Sequence, residues 1–211
     1  MKLYLSSYHL GHHPENFSEM VSGGRRVAVI MNASDVFGDS GREKYLQREV
    51  DDLGRFGLTA SGLDLRDYFD NNDIEAELSN FEAVWVCGGN AFWLRQAMRR
   101  SKFDMAIREL VSKTALVYAG YSAGAVNAAE SLKGIDLMDD PAQMPHGYSP
   151  DGRTDGLGLV NFVVVPHVES DHPESERARQ AVGYLAANNF AYRAISDGQA
   201  VVVDGDRVET V

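Results

Sequence analysis

Apolar residues in this chain fall into compact runs separated by stretches of helical spacing. The segments 3–7, 26–31, 58–65, 82–87, 114–118 and 159–165 are short and rich in β-branched or aromatic residues, which predicts buried strands. Tyr45, Leu46, Val50, Leu53 and Phe56 recur at helical intervals with charges between them. That spacing predicts an amphipathic helix over 41–56, ended by Gly57. Further helices are predicted over 103–111 and over 174–188, the latter apolar at Ala178, Ala181, Val182 and Leu185. Strands alternating with helices predict an α/β fold with a mainly parallel sheet. In the tail, Asp197-Gly198 and Asp204-Gly205 lie between short β runs, which predicts antiparallel hairpins. Residues 70–79 are polar and broken, suggesting a turn and a short helix. Residues 134–158 are rich in Asp, Pro and Gly without a period, and so long an irregular connection is usually functional or mobile. With no repeat, linker or low-complexity tract, the 211 residues are expected to form one domain, 1–211.

One of these strands runs into Gly120-Tyr121-Ser122-Ala123-Gly124 and then an Ala-rich segment able to start a helix. Gly-x-Ser-x-Gly between a strand and a helix is the pattern of a nucleophile elbow, a cramped turn that lifts a serine hydroxyl clear of the sheet. A second strand, 82–87, leads into Gly88-Gly89-Asn90. Adjacent glycines let a backbone N–H approach a ligand, and Asn90 suits the cap of the following helix. An oxyanion hole would use the N–H of Ala123 and one from Gly89.

A serine nucleophile needs a base, and the base needs an orienting partner. Of six histidines, His167 stands just past a strongly β run, where open α/β sheets gather their ligands. His9, His12 and His13 crowd a looser loop with no matching set of metal ligands, and a solvated or substrate-facing loop is expected there. His146 and His172 lie in polar loops. The acid is left open among Asp136, Asp139, Asp140, Glu169 and Asp171.

Composition narrows the partners. A formal net charge of −11 argues against nucleic acid and against an anionic membrane surface. Cys87 is the only cysteine, so neither an internal disulfide nor a thiolate metal cluster can form; it is expected to be buried strand filler. No leader-like or membrane-spanning run is present, and a cytoplasmic protein is expected.

Three motifs in order, Gly88-Gly89-Asn90-Ala91-Phe92-x-Leu94, Gly120-x-Ser122-Ala123-Gly124-Ala125 and Pro166-His167, resemble the peptidase S51 group of dipeptidase E (aspartyl dipeptidase) and cyanophycinase. The resemblance spans most of the chain. It implies a flavodoxin-like, class I glutamine amidotransferase-like sheet with helices on both faces, and a serine peptidase for dipeptides with N-terminal Asp that needs no metal or cofactor. Carried over, Ser122 is the nucleophile, His167 the base, and Gly89 with Ala123 the oxyanion donors. The family's acid lies soon after the serine, which points to Asp136, with Glu169 and Asp139 as alternatives. Asn90, Arg177 and Arg179 are the candidate substrate-binding residues, since an aspartyl side chain calls for a cation. The chain departs from the family at Ala91, often threonine, and at Tyr121, often tryptophan or glutamate. The expected partner is a small peptide, and a homodimer is compatible with the sequence. Other readings are an esterase, a cyanophycinase-like hydrolase, and a ligand-binding member of the fold without catalysis.

Overall fold

The computed structural model describes residues 1–36, 39–69 and 73–211. In chain order the elements are β1 (Lys2–Ser6), α1 (Glu15–Met20), β2 (Arg26–Ile30), α2 (Asp39–Gly54), β3 (Thr59–Gly62), α3 (Ile74–Leu78) and β4 (Ala83–Val86). There follow α4 (Ala91–Arg100), α5 (Phe103–Ser112), β5 (Val117–Tyr121), α6 (Ala123–Val126), β6 (Val163–Val165), α7 (Ser175–Ala187), β7 (Tyr192–Ala194), β8 (Ala200–Asp204) and β9 (Arg207–Thr210). Of the segment 70–79, expected to hold a turn and a short helix, residues 70–72 lie outside the described residues and α3 is the short helix.

Seven strands form one sheet in the order β3-β2-β4-β5-β1-β8-β9. The first five are mutually parallel, while β8 runs antiparallel to β1 and β9 antiparallel to β8. Successive side chains of a strand point to opposite faces, and the two faces bury separate cores. Tyr4, Val27, Val29, Trp85 and Ala119 pack with Phe17 of α1 and Leu53 of α2. On the other face Leu3, Leu5, Ile30, Val84, Val86 and Tyr118 pack with α3 to α7, through residues such as Leu94, Ile107 and Leu185. This is the α/β architecture that the sequence pattern predicts, with the helices on both faces that the resemblance implies.

Two expectations are corrected. Only Asp204-Gly205 closes a hairpin, between β8 and β9. Asp197-Gly198 does not, because β7 takes β6 as a parallel partner and the following residues run along the site instead. The long run 159–165 yields a strand of just three residues, paired outside the main sheet. The helix after the elbow is only Ala123–Val126. In addition α1, lacking a clear apolar period, went unforeseen.

Candidate active site

Three strands of the parallel sheet, together with β6, deliver their carboxyl ends to one edge. There β1 leads to Ser7, β4 to Gly88-Gly89, β5 to Ser122 and β6 to His167. A cleft of about 750 Å³ opens along this edge, lined by Gly88, Gly89, Ser122 and His167 and by side chains from α2, the 134–158 connection and α7.

The elbow is formed by sterics. Ser122 has φ 48° and ψ −116°, a conformation that side-chain-bearing residues rarely adopt. A Cβ on Gly124 would stand 2.1 Å from the carbonyl oxygen of Val86, so the short helix lies directly against β4. The Ser122 N–H is held by the carbonyls of Ser6 and Ser7, at 3.1 and 3.2 Å, which pins the turn to β1. Ala123 is the first residue of α6, where an N–H has no partner within the helix. Gly89 has φ 134°, and a Cβ there would lie 2.3 Å from the Ala33 carbonyl oxygen. Only glycine permits this close approach.

His167 is 1% exposed. Its Nε2 lies 3.2 Å from Ser122 Oγ, and its Nδ1 lies 2.7 Å from Asp197 Oδ1. A carboxylate against Nδ1 holds the proton there and leaves the Nε2 lone pair facing the serine. Burial pulls the imidazole below its ordinary pKa, against the opposing pull of Asp197. Asp197 is fixed in turn: its N–H donates to Ser170 Oγ at 2.7 Å and its Oδ1 accepts from Ser7 Oγ at 2.8 Å.

The acid facing the histidine is therefore Asp197, none of the five candidates weighed from sequence. Asp136 sits in an exposed turn, where it accepts the Gly134 N–H at 3.0 Å and borders a different cavity. Asp139 lines the cleft but accepts the Ala91 N–H at 2.8 Å, and burial raises its pKa to about 7. Asp140 lines the cleft rim, while Glu169 and Asp171 are exposed. Asp197 was hidden in a dipeptide that reads as an ordinary turn. The one available signal was its place on the loop beyond the last helix, close to the carboxyl edge of β6.

The remaining candidates divide. Asn90 caps α4, its Oδ1 accepting from Phe92 and Trp93, and its amide reaches the Asp140 carbonyl at 3.2 Å. Arg177 lines the cleft and donates one bond to the Met138 carbonyl at 3.3 Å. Arg179 instead pairs with Glu176 on the exposed side of α7. Of the loop histidines, His9 reaches the cleft wall, where its Nδ1 lies 3.3 Å from Glu49, a buried carboxylate that also receives Trp85 Nε1 and Tyr121 Oη. His12 packs under Gly198 and His13 pairs with Glu15 at the surface. Cys87 is buried, and burial pushes its thiol pKa well up. His167, His172 and Glu174 bring possible ligand atoms within 4.8 Å of one another. The two rings, however, stack 3.7 Å apart and 8° from parallel, so no single ion lies in the plane of both. Among the described residues, no helix is long and apolar enough to cross a membrane.

A parallel α/β sheet carrying a strained serine, a histidine and a carboxylate in one hydrogen-bonded line defines a serine-hydrolase type of site. The chain belongs to peptidase family S51, whose model matches residues 4–211. It is 32% identical over 158 residues to a peptidase E of Streptomyces coelicolor, and 30% identical over 170 residues to a probable alpha-aspartyl dipeptidase of Drosophila melanogaster. Those alignments cover 72% and 78% of this chain but only 61% and 65% of the two relatives. An uncharacterized peptidase of Listeria monocytogenes is matched over 90% of its length at 29% identity. The crystal structure of a candidate peptidase E protein from Listeria monocytogenes superposes over the whole chain and 97% of its own, with a TM-score of 0.78 and 27% identity. A peptidase from an acI-B1 actinobacterium shares the fold, with a TM-score of 0.76 at 18% identity and 86% of that chain covered.

Proposed function

We propose that the protein is a serine dipeptidase that cleaves small peptides, chiefly those with an N-terminal aspartate. The observation that carries this is the continuous line from Ser122 Oγ through His167 to Asp197 at the floor of a cleft. In this reading His167 Nε2 takes the Ser122 proton as Oγ attacks the first carbonyl of the peptide. The N–H groups of Gly89 and Ala123 receive the oxyanion. His167 then protonates the leaving amine, and water, activated by the same nitrogen, releases the acyl group. Asp197 keeps the imidazole in the required tautomer throughout.

Arg177 supports the aspartyl preference. A guanidinium carries five N–H donors, and the bond to the Met138 carbonyl occupies one of them. The others suit bidentate binding of a carboxylate. Asp140 and Glu174 on the same wall favour a cationic N-terminus. Arg179 has no part in this reading, being engaged elsewhere.

The test is hydrolysis of a panel of X-Leu dipeptides, Asp-Leu included, by the wild type and by Ser122→Ala. Cleavage restricted to Asp-Leu and reduced ~10³-fold or more in the variant is the expected result. Full activity in Ser122→Ala would sink the assignment. Cleavage of simple esters alone would turn the reading toward an esterase, and release of dipeptides from cyanophycin toward the polymer hydrolase.

A further inference from the structure

Ser7, at the exit of β1, is fully buried and touches all three members of the Ser122–His167–Asp197 line. Its carbonyl oxygen accepts the Ser122 N–H at 3.2 Å. Its hydroxyl oxygen accepts the His167 backbone N–H at 2.8 Å. The same hydroxyl donates to Asp197 Oδ1, also at 2.8 Å. A hydroxyl has a single proton, and the incoming N–H of His167 occupies part of its acceptor capacity. The alternative acceptor, the Ile195 carbonyl, stands at 3.5 Å, so the proton is committed to the carboxylate. That makes an O–H···O⁻ bond, the stronger charge-assisted kind. It falls on the oxygen that also takes the His167 ring, at 2.7 Å.

We propose that Ser7 is a positioning residue of the catalytic triad, whose hydroxyl holds Asp197 Oδ1 in line with His167 Nδ1 and sets how strongly that carboxylate binds the imidazolium. The inference rests on the triad reading given above. Two effects follow from removing the hydroxyl. First, the Asp197 carboxylate loses its bond from Ser7 and keeps the one from the His167 ring, its backbone N–H still held by Ser170 Oγ. Second, Asp197 Oδ1 no longer shares its charge with a second donor, so it holds the protonated ring more tightly and the base is freed only at higher pH. His172, Glu174 and Tyr8 also face His167, and all three are unchanged by the substitution.

The experiment compares Ser7→Ala, Ser7→Thr, Asp197→Asn and the Ser7→Ala/Asp197→Asn double variant on the best peptide found, with pH profiles and thermal unfolding midpoints. Ser7→Ala is expected to lower kcat ~10- to 100-fold with KM within about twofold, the scale of a small misplacement of a catalytic group. The acid limb of its profile should move to higher pH, and Ser7→Thr, which keeps the hydroxyl, should restore both. In the Asp197→Asn background the Ser7 effect should fall to about twofold or less, because groups that act through one another are not additive. Loss of kcat of equal size in both backgrounds, or an unmoved acid limb, would reduce Ser7 to a structural residue and overturn the proposal. Should Ser7→Ala fail to fold, Ser7→Cys, with a weak donor of similar shape, is read instead against the same criteria. Full activity of Asp197→Asn would be a different failure, that of the triad reading itself.

Discussion

The two ends of the Ser122–His167–Asp197 line are built on opposite principles. At one end the elbow shows itself in its own residues, because its backbone and its neighbour β4 admit only small side chains. The φ of 48° at Ser122 and the 2.1 Å clash that any Cβ on Gly124 would make with Val86 demand small residues at fixed spacing. At the other end, Asp197 lies in a loop whose local sequence specifies a turn and nothing more. Its place is set from far along the chain by Ser7, by Ser170 and by the His12 loop beneath Gly198. Steric strain is written locally, whereas the orientation of a charge is written in long-range hydrogen bonds.

The sharpest way to break this contrast is to exchange the acids. Asp197→Asn leaves the shape intact but favours the wrong tautomer of His167, and kcat is expected to fall ~10³- to 10⁴-fold. Asp136→Asn should stay within about twofold in the same assay, since surface changes away from such a site are nearly neutral. Reversal of the two would restore Asp136 as the acid. Next in size, Gly124→Ala should cost about 3 kcal/mol or more in denaturant unfolding, because overpacking here meets backbone rather than a side chain that can move. Ala in place of Gly124 with normal stability would show that the elbow is looser than its geometry.

Smaller effects sharpen the other wall. Arg177→Met should lower kcat/KM for Asp-Leu ~10- to 100-fold, as expected for loss of a charged bidentate contact, while Arg179→Met leaves it unchanged. For pH, the base must be neutral, and burial lowers the pKa of His167. The acid limb of kcat/KM should therefore lie below the ordinary histidine value, with activity retained on moderate acidification. A limb above that value would contradict the burial. The mildest effect concerns stability. Asp139 has a folded pKa raised from 3.8 to about 7, so the native state holds its proton more tightly than the unfolded chain does. Its favourable contribution is complete below 3.8 and is lost as pH rises through about 7. Asp139→Asn should accordingly raise the unfolding midpoint at pH 8 relative to wild type, and do so less at pH 5; equal shifts at both would refute the titration.

Much of this molecule was legible in its residues, and the pattern of success follows the same division. Strands such as 26–31 and 82–87, buried on both faces, carry continuous apolar runs that no other element explains. Ser122 and His167, which the structure brings within 3.2 Å, each follow such a run. The strand at 159–165 looked as strong, yet only three residues pair, since its partner β7 is itself only Tyr192–Ala194. Apolar content sets burial, but the ladder is as long as its neighbour. Asp197 was missed for the converse reason: Asp-Gly is good turn chemistry, and nothing in the dipeptide says whether a turn closes a hairpin or presents a carboxylate. His9 stood out for its neighbours His12 and His13, but only the fold separates it from them by setting it beside Glu49.

The place of β1 bears on how the chain reaches this state. Although nearly first in sequence, β1 lies between β5 and β8, so both of its edges wait for segments made much later. A nascent chain that has completed the elbow still has an unpaired β1 edge and no residue at position 197. Such pairing between distant segments makes folding slow, and bare strand edges invite association with other chains in the meantime. Closure of the sheet by β8 seals that edge at the same time as the adjoining loop brings Asp197 to His167. Because the site needs both of these late pairings, recovery of peptide cleavage after dilution from denaturant is expected to trail the recovery of helical signal.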